Sequence, residues 1–341
     1  MKIFVLLFLL SVAYAYDLDK EFAEYKRVYN KVYAYDSDEY FKSIFNNSLR
    51  IVEFYNNKYK KGEIGYITKI NKYADMDVGS YSMLGGLKKL SKKEWDEFMK
   101  QLDKELMDPH QRGHDPPPFI DWSAKGKLQP IQDQGDCGSC YAFATTAAIE
   151  AHHAITNNVM EKLSEQQLVD CSEEWGNNGC GGGYMTSSYD YFIENNIGHM
   201  KGTSYKYDGY QGICGYDAKE TVVKLGRYRT LPEENEDLIM KAVGLKGPVA
   251  AGIDATRPGF QFYSDGIYDD PECKKDSITH AILIVGYGTL NGTDYWIIRN
   301  SMGTSWGRKG YGLVKRGVNQ CGIAKLVSYP IVKKVKKGPR K

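Results

Sequence analysis

No cysteine precedes Cys137 in this chain of 341 residues, and all seven lie between there and Cys321. A dominant charge is also missing: 45 Lys+Arg stand against 43 Asp+Glu, a formal net charge of +2. That balance gives no electrostatic case for a nucleic acid or an acidic membrane as partner. Long apolar runs are lacking as well. Spanning a bilayer takes about 20 such residues, whereas Ile3–Val12 is soon followed by Asp17, Asp19 and Lys20. With 42% hydrophobic and 26% charged residues, the chain is neither disordered nor collagen-like and can bury a core. No internal repeat is present. Cys137 and Cys140 have no second close cysteine pair to complete a zinc site, and no βαβ pattern that would suit a redox pair.

What is present begins with a secretory signal. Met1-Lys2, the apolar run and Ala13-Tyr14-Ala15 predict a signal peptide over residues 1–15, cut after Ala15. Residues 16–115 follow, rich in charge and tyrosine. Phe22, Tyr25, Val28, Tyr29 and Val32 fall at helical spacing, as do Phe41, Phe45, Val52 and Tyr55, then Trp95, Phe98 and Leu102. This predicts amphipathic helices joined by short loops. The polar stretch from His110 through His114 and Asp115 to Pro116-Pro117-Pro118 has no period and reads as an exposed linker. Residues 116–341 form the main domain, closed by a basic tail, Lys333 to Lys341, that reads as solvated.

Seven cysteines are an odd number. In an oxidising compartment six can pair and one is left over. The densest motif is Gln134-Gly-Asp-Cys137-Gly-Ser-Cys140-Tyr141-Ala-Phe143, leading into a helix that runs to about Thr156. Cys140 then sits at a helix start, with Ser139 the expected N-cap, where free N–H groups and the dipole favour a thiolate. Among six histidines, His110 and His114 lie in the linker, His152 and His153 in that helix, and His199 in what reads as a polar loop. Only His280 begins an apolar strand, and a second strand, Tyr295–Ile298, ends at Arg299-Asn300. Neighbouring strands would let the Asn300 amide hold the His280 imidazole in one tautomer. Singly, each reads as a satisfied core polar group; together they are a nucleophile, a base and an orienter.

These residues resemble the papain-like cysteine peptidases of the cathepsin L type. Asp121-Trp122, Gln134, the Cys140 block, Cys171, Gly179–Gly183, Gly247-Pro248, His280, Gly286–Gly288, Asn300-Ser301, Trp306-Gly307 and Gly310-Tyr311 stand in family order. The resemblance implies an α+β fold of two subdomains, one helical and one a β-barrel-like antiparallel sheet, preceded by a helical inhibitory prosegment. It implies Cys140 as nucleophile, His280 as base, Asn300 as orienter and Gln134 as oxyanion donor. It also selects the pairs Cys137–Cys180, Cys171–Cys214 and Cys273–Cys321. Asn71, Tyr73 and Asp75 resemble the propeptide motif Asn-x-Phe-x-Asp. In the interspersed helical motif Phe45, Val52 and Asn56 fit, whereas Ser37 and Phe41 replace the usual Glu and Arg. Tyr141 follows the nucleophile where Trp is usual, and Met302 stands where an aromatic normally covers the His–Asn hydrogen bond. A softened His280–Asn300 pair is the expected result.

By the same resemblance, the backbone of Gly182 and Gly183 would bind extended substrate. Tyr184, Met185, Gly252, Ile278, Ala281 and Leu326 would form the pocket for the second residue before the cut (P2). None is charged, so a hydrophobic side chain is expected there. No long histidine-bearing insertion follows Cys214, which favours endopeptidase action. The prosegment is expected to dock over the cleft and to be cut near His110–Asp115 at acidic pH. Asn46 and Asn291 head sequons, the second in an expected hairpin loop. The implied product is a monomeric thiol endopeptidase, made as a lysosomal or extracellular zymogen. It needs no cofactor or metal, acts on proteins and peptides, and is open to cystatin-type inhibitors. The other reading is a catalytically silent papain-fold binding or storage protein.

Overall fold

The computed structural model describes residues 18–34, 36–88, 90–101 and 115–335. The expected signal peptide, Leu102, His110 and His114 lie outside these. The prosegment opens with two helices, α1 (residues 18–29) and α2 (Asp38–Lys60). Asp38 and Glu39 occupy the first turn of α2 and Lys58 and Lys60 the last, which suits the helix dipole. Phe22 and Tyr25 of α1 pack on Phe45 of α2, ring centroids 5.5 and 4.8 Å apart. The expected helical stripe is shorter than its spacing suggested. The helix stops before Asn30, which takes φ 51°, so Val32 lies beyond it and is exposed; Val28, within the helix, is on its solvent side. Strand β1 (Tyr66–Thr68), helix α3 (Val78–Met83) and helix α4 (Lys92–Gln101) complete the segment.

After β2 (Ile120–Asp121) come helices α5 (Cys140–Asn157), α6 (Glu165–Cys171) and α7 (Met185–Glu194), the helical half. Then come β3 (Gly198–Met200), β4 (Thr221–Thr230), α8 (Glu236–Leu245), β5 (Val249–Ile253), β6 (Tyr263–Tyr268), β7 (His280–Leu290), β8 (Thr293–Arg299), β9 (Tyr311–Lys315) and β10 (Val327–Val332). The sheet runs β1-β6-β9-β8-β7-β5-β10-β4-β3, with β2 beside β7. The prosegment therefore supplies an edge strand: β1 pairs antiparallel with β6, Tyr66 opposite Gly266. Strand addition of this kind docks a segment through its own backbone.

Strand β7 is buried along most of its length because both its faces are covered. Ile282 and Ile284 join the cluster that holds Ile239 and Val243 of α8. Ala281, Leu283 and Val285 join the cluster built on Tyr141, Ala144 and Ala148 of α5. The two-residue side-chain period of a strand thus divides one apolar run between two cores. Helix α5 is likewise buried on nearly every face. Three disulfides, Cys137–Cys180, Cys171–Cys214 and Cys273–Cys321, tie the domain together, and Cys140 is free. His199 is not in a polar loop. It lies in β3, fully buried, with Nε2 bonded to Ser164 O at 2.7 Å.

Candidate active site

Cys140 begins α5 on the helical side of a cleft, and His280 begins β7 on the sheet side. The β7–β8 register sets Leu283 opposite Arg299. The start of β7 and the end of β8 therefore meet at one edge, which brings His280 to Asn300. His280 Nε2 lies 2.8 Å from Asn300 Oδ1, and Ser301 N–H also donates to that oxygen at 2.8 Å. The second donor identifies the amide oxygen as the acceptor, so the proton sits on Nε2 of the neutral ring. Nδ1 is left as the basic atom, buried and with no hydrogen-bond partner.

Gln134 is fully buried and held in one orientation. Its Oε1 accepts from Ser301 Oγ at 2.6 Å, and its Nε2 donates to Cys137 O and, across the cleft, to Leu84 O, both at 2.9 Å. Tyr207 hydroxyl braces the same residue, donating to Gln134 O at 2.7 Å. Ser139 does not cap α5. It makes no capping bond, and its Oγ instead lies 2.7 Å from the Tyr207 hydroxyl.

The prosegment occupies this cleft. Gly86 N–H and Ala281 N–H both donate to Cys140 Sγ at 3.2 Å, and Gly183 N–H donates to Gly86 O at 2.8 Å. A Cβ on Gly86 would lie 2.0 Å from Gly138 O and 3.1 Å from Cys140 Sγ, so only glycine fits at this crossing. Cys140 Sγ thus faces a donor rather than a carbonyl carbon. Leu87 then turns toward the sheet side, its Cδ1 within 3.1 Å of where a Cβ on Gly252 would stand and beside Ile278. Tyr184, Met185, Ala281 and Leu326 belong to the same apolar cluster as Leu87. Tyr184 hydroxyl donates to Lys88 O at 2.6 Å, and its ring packs on Phe98 of α4 at 4.7 Å. Gly182 passes under Gly86 with φ 105°.

Burial decides the protonation states. It pushes the Cys140 thiol up to about 12, outweighing the N–H groups of Ala281, Gly86, Tyr141 and Cys140 itself that favour the thiolate. The helix start acts in the expected direction but loses to desolvation while the cleft is covered. Burial also pulls the His280 imidazole down to about 4, against the Asn300 bond that favours its charge. The covered pair is therefore thiol and neutral imidazole.

The propeptide-like motif anchors this arrangement. Asn71 Nδ2 donates to Gln261 O at 2.7 Å and Gln261 Nε2 returns a bond to Tyr73 O at 3.0 Å. Asp75 is paired with Lys31 at 2.7 Å and accepts from Tyr33. Lys72 pairs with Asp133 across the interface. The sequence reading missed Leu84, Gly85, Gly86 and Leu87; the signal was there, since Gly85-Gly86 is the one adjacent glycine pair between residues 16 and 115. Asn291 is exposed at the β7–β8 turn, whereas Asn46 lies half-buried in α2 and Ser48 of its sequon is bonded to Ala74 O at 2.8 Å. Among the described residues no cluster of three or more His, Cys, Asp or Glu is placed to hold a metal, and no helix is long and apolar enough to cross a membrane.

Residues 116–331 match the papain family cysteine protease model. The chain belongs to that family. Residues 22–81 match the cathepsin propeptide inhibitor domain (I29), so the papain-family domain carries its own inhibitory segment. The chain is 37% identical over 324 residues to a cathepsin L of Sarcophaga peregrina, covering 92% of this chain and 93% of that protein. It is 35% identical over 336 residues to digestive cysteine proteinase 2 of Homarus americanus, covering 97% of this chain and 100% of that protein. In structure it resembles digestive procathepsin L 3 from the larval midgut of Tenebrio molitor. The TM-score is 0.84 at 32% identity, covering 92% of this chain and 99% of that one. This papain-family protease is thus a zymogen of the procathepsin L type.

Proposed function

We propose that the activated chain is an endopeptidase in which Cys140, His280, Asn300 and Gln134 perform the chemistry, with a hydrophobic residue preferred at P2. The observation that carries this is what the prosegment touches: Leu84 O on Gln134 Nε2, Gly86 N–H on Cys140 Sγ, and Leu87 against Gly252 and Ile278. An inhibitor that fills all three positions marks the donor, the nucleophile and the side-chain pocket.

Once the segment leaves, water reaches the cleft and the desolvation that keeps the thiol neutral is relieved. The Cys140 proton passes to His280 Nδ1, giving a thiolate and an imidazolium steadied by Asn300. The thiolate attacks the scissile carbonyl carbon. The oxyanion is held by Gln134 Nε2–H and Cys140 N–H, a contribution of about 3–4 kcal/mol for one such donor in related chemistry. The imidazolium then protonates the leaving amine, and water, activated by the same ring, hydrolyses the thioester. Substrates are proteins and peptides bound extended along Gly182 and Gly183. The mature enzyme is a monomer, open to cystatin-type inhibitors and made in the secretory pathway for a lysosome or the exterior. Removal of residues 1–15 and a cut near residues 110–115 would produce it.

Titration of the acid-activated chain with a thiolate-directed epoxide tests this. One equivalent on Cys140, with loss of peptide hydrolysis, supports it. Labelling of another site, or hydrolysis that survives labelling, removes it.

A further inference from the structure

Tyr81 of α3 fills a hollow beside His280. Its side chain is buried, and its hydroxyl donates to Met302 Sδ at 3.4 Å. Thr279, His280, Ala255, Thr256 and Met302 wall the hollow, and only about 10 Å³ remains unfilled around the ring. The fit is close, since that residue of space holds no more than one water. Tyr73 packs edge-on against the same ring, centroids 5.7 Å apart, and its hydroxyl reaches Met302 O at 3.4 Å. Both tyrosines belong to the prosegment and leave with it.

Leu87 occupies the pocket assigned to residues before the cut. A chain that crosses the nucleophile at Gly86 must therefore place Tyr81 on the leaving-group side. We propose that in the activated enzyme this hollow binds a substrate side chain just after the scissile bond and selects an aromatic one, tyrosine above phenylalanine. Met302 is the specificity-determining residue. Its thioether leaves room for a ring that an indole at this position would displace, and its sulfur accepts from the phenol. The inference rests on the thiol-endopeptidase reading above.

The test uses internally quenched peptides with leucine at P2 and Tyr, Phe, Ala or Asp at the first and second positions after the cut. The activated wild type should favour Tyr over Ala by about tenfold in kcat/KM, and Tyr over Phe by about threefold, at one of these positions. Met302→Leu keeps the volume and should erase the Tyr-over-Phe margin alone. Met302→Trp should flatten the whole aromatic preference. Leucine against arginine at P2 is the internal reference. A flat profile after the cut with the P2 preference intact overturns this proposal alone. A lost P2 preference with aromatic selection retained overturns the pocket assignment and leaves this one standing. No hydrolysis of any peptide overturns both, and an aromatic preference unchanged in both variants overturns the role of Met302.

Discussion

Asn300 Oδ1 accepts two protons at once, one from His280 Nε2 and one from its neighbour Ser301 N, each at 2.8 Å. The second bond prevents the amide from turning over, so the imidazole is fixed as the tautomer with Nδ1 free toward the cleft. Asn300→Ala should lower kcat/KM by on the order of 10²-fold, less than the ~10⁴-fold seen when a charged orienter is replaced. Steady-state kinetics on the activated variant checks this, and a loss under threefold would deny Asn300 its orienting role.

The Gln134 side-chain amide is held by Ser301 Oγ on its oxygen and Cys137 O on its nitrogen, while Tyr207 bonds its main-chain carbonyl. Gln134→Ala should reduce kcat by about 10²–10³-fold with little change in KM, because the bond it loses strengthens only as the oxyanion forms. An equal change confined to KM would instead make it a ground-state binding residue.

Gly86 crosses Cys140 too closely for a Cβ, which would lie 2.0 Å from Gly138 O and 2.4 Å from Gly138 C. Relieving that overlap costs about 1–3 kcal/mol, typical of overpacking. The G86A prosegment, added to the activated enzyme, should inhibit about 10–100-fold more weakly than wild type. Equal inhibition constants would mean that the segment avoids the crossing altogether.

Acidification should open the zymogen through His280. Its imidazole is held near 4 in the covered cleft against an ordinary value of 6.5. A lowered histidine value means that the closed form favours the neutral ring. That stability is complete above pH 6.5 and is lost as the pH falls toward 4, by up to about 3 kcal/mol. In a Cys140→Ala zymogen, which cannot process itself, exchange of the Gly85 and Leu87 amides, bonded to Ser82 O and Thr279 O, should be faster at pH 4.5 than at pH 7 after correction for intrinsic rates. Equal protection at the two values would exclude this histidine as the trigger. His152, down to about 4, and His199, down to about 3, are buried within the peptidase domain. They make the whole fold, and not only the interface, less stable in strong acid.

The division into prosegment and peptidase was readable because it shows in composition and in motif spacing. The edges of elements were less so. Val32 keeps the helical period but falls beyond Asn30, where the backbone turns left-handed and the helix stops. His199 sits among polar neighbours in sequence, yet β3 carries it into the interior, where Ser164 satisfies it. Ser139 has the chemistry of a cap, but Tyr207, distant in sequence, takes its hydroxyl. The last two errors come from partners that only the folded chain supplies. The thiol is a different case: the local field was read with the right sign, and the burial that outweighs it is a property of the whole fold, not of the neighbouring sequence.

The strand that the prosegment lends to the sheet has an aftermath. When β1 departs, β6 becomes a rim whose main-chain donors and acceptors face solvent along Tyr263–Tyr268. Such a rim invites pairing with other chains. Here it is short, carries Asp265 at its middle, and is bent by Gly266 at φ 87°. Gly266, which lets the zymogen's own strand approach closely at Gly65, and the Asp265–Arg308 pair beside it then serve the activated molecule as a guard against self-association.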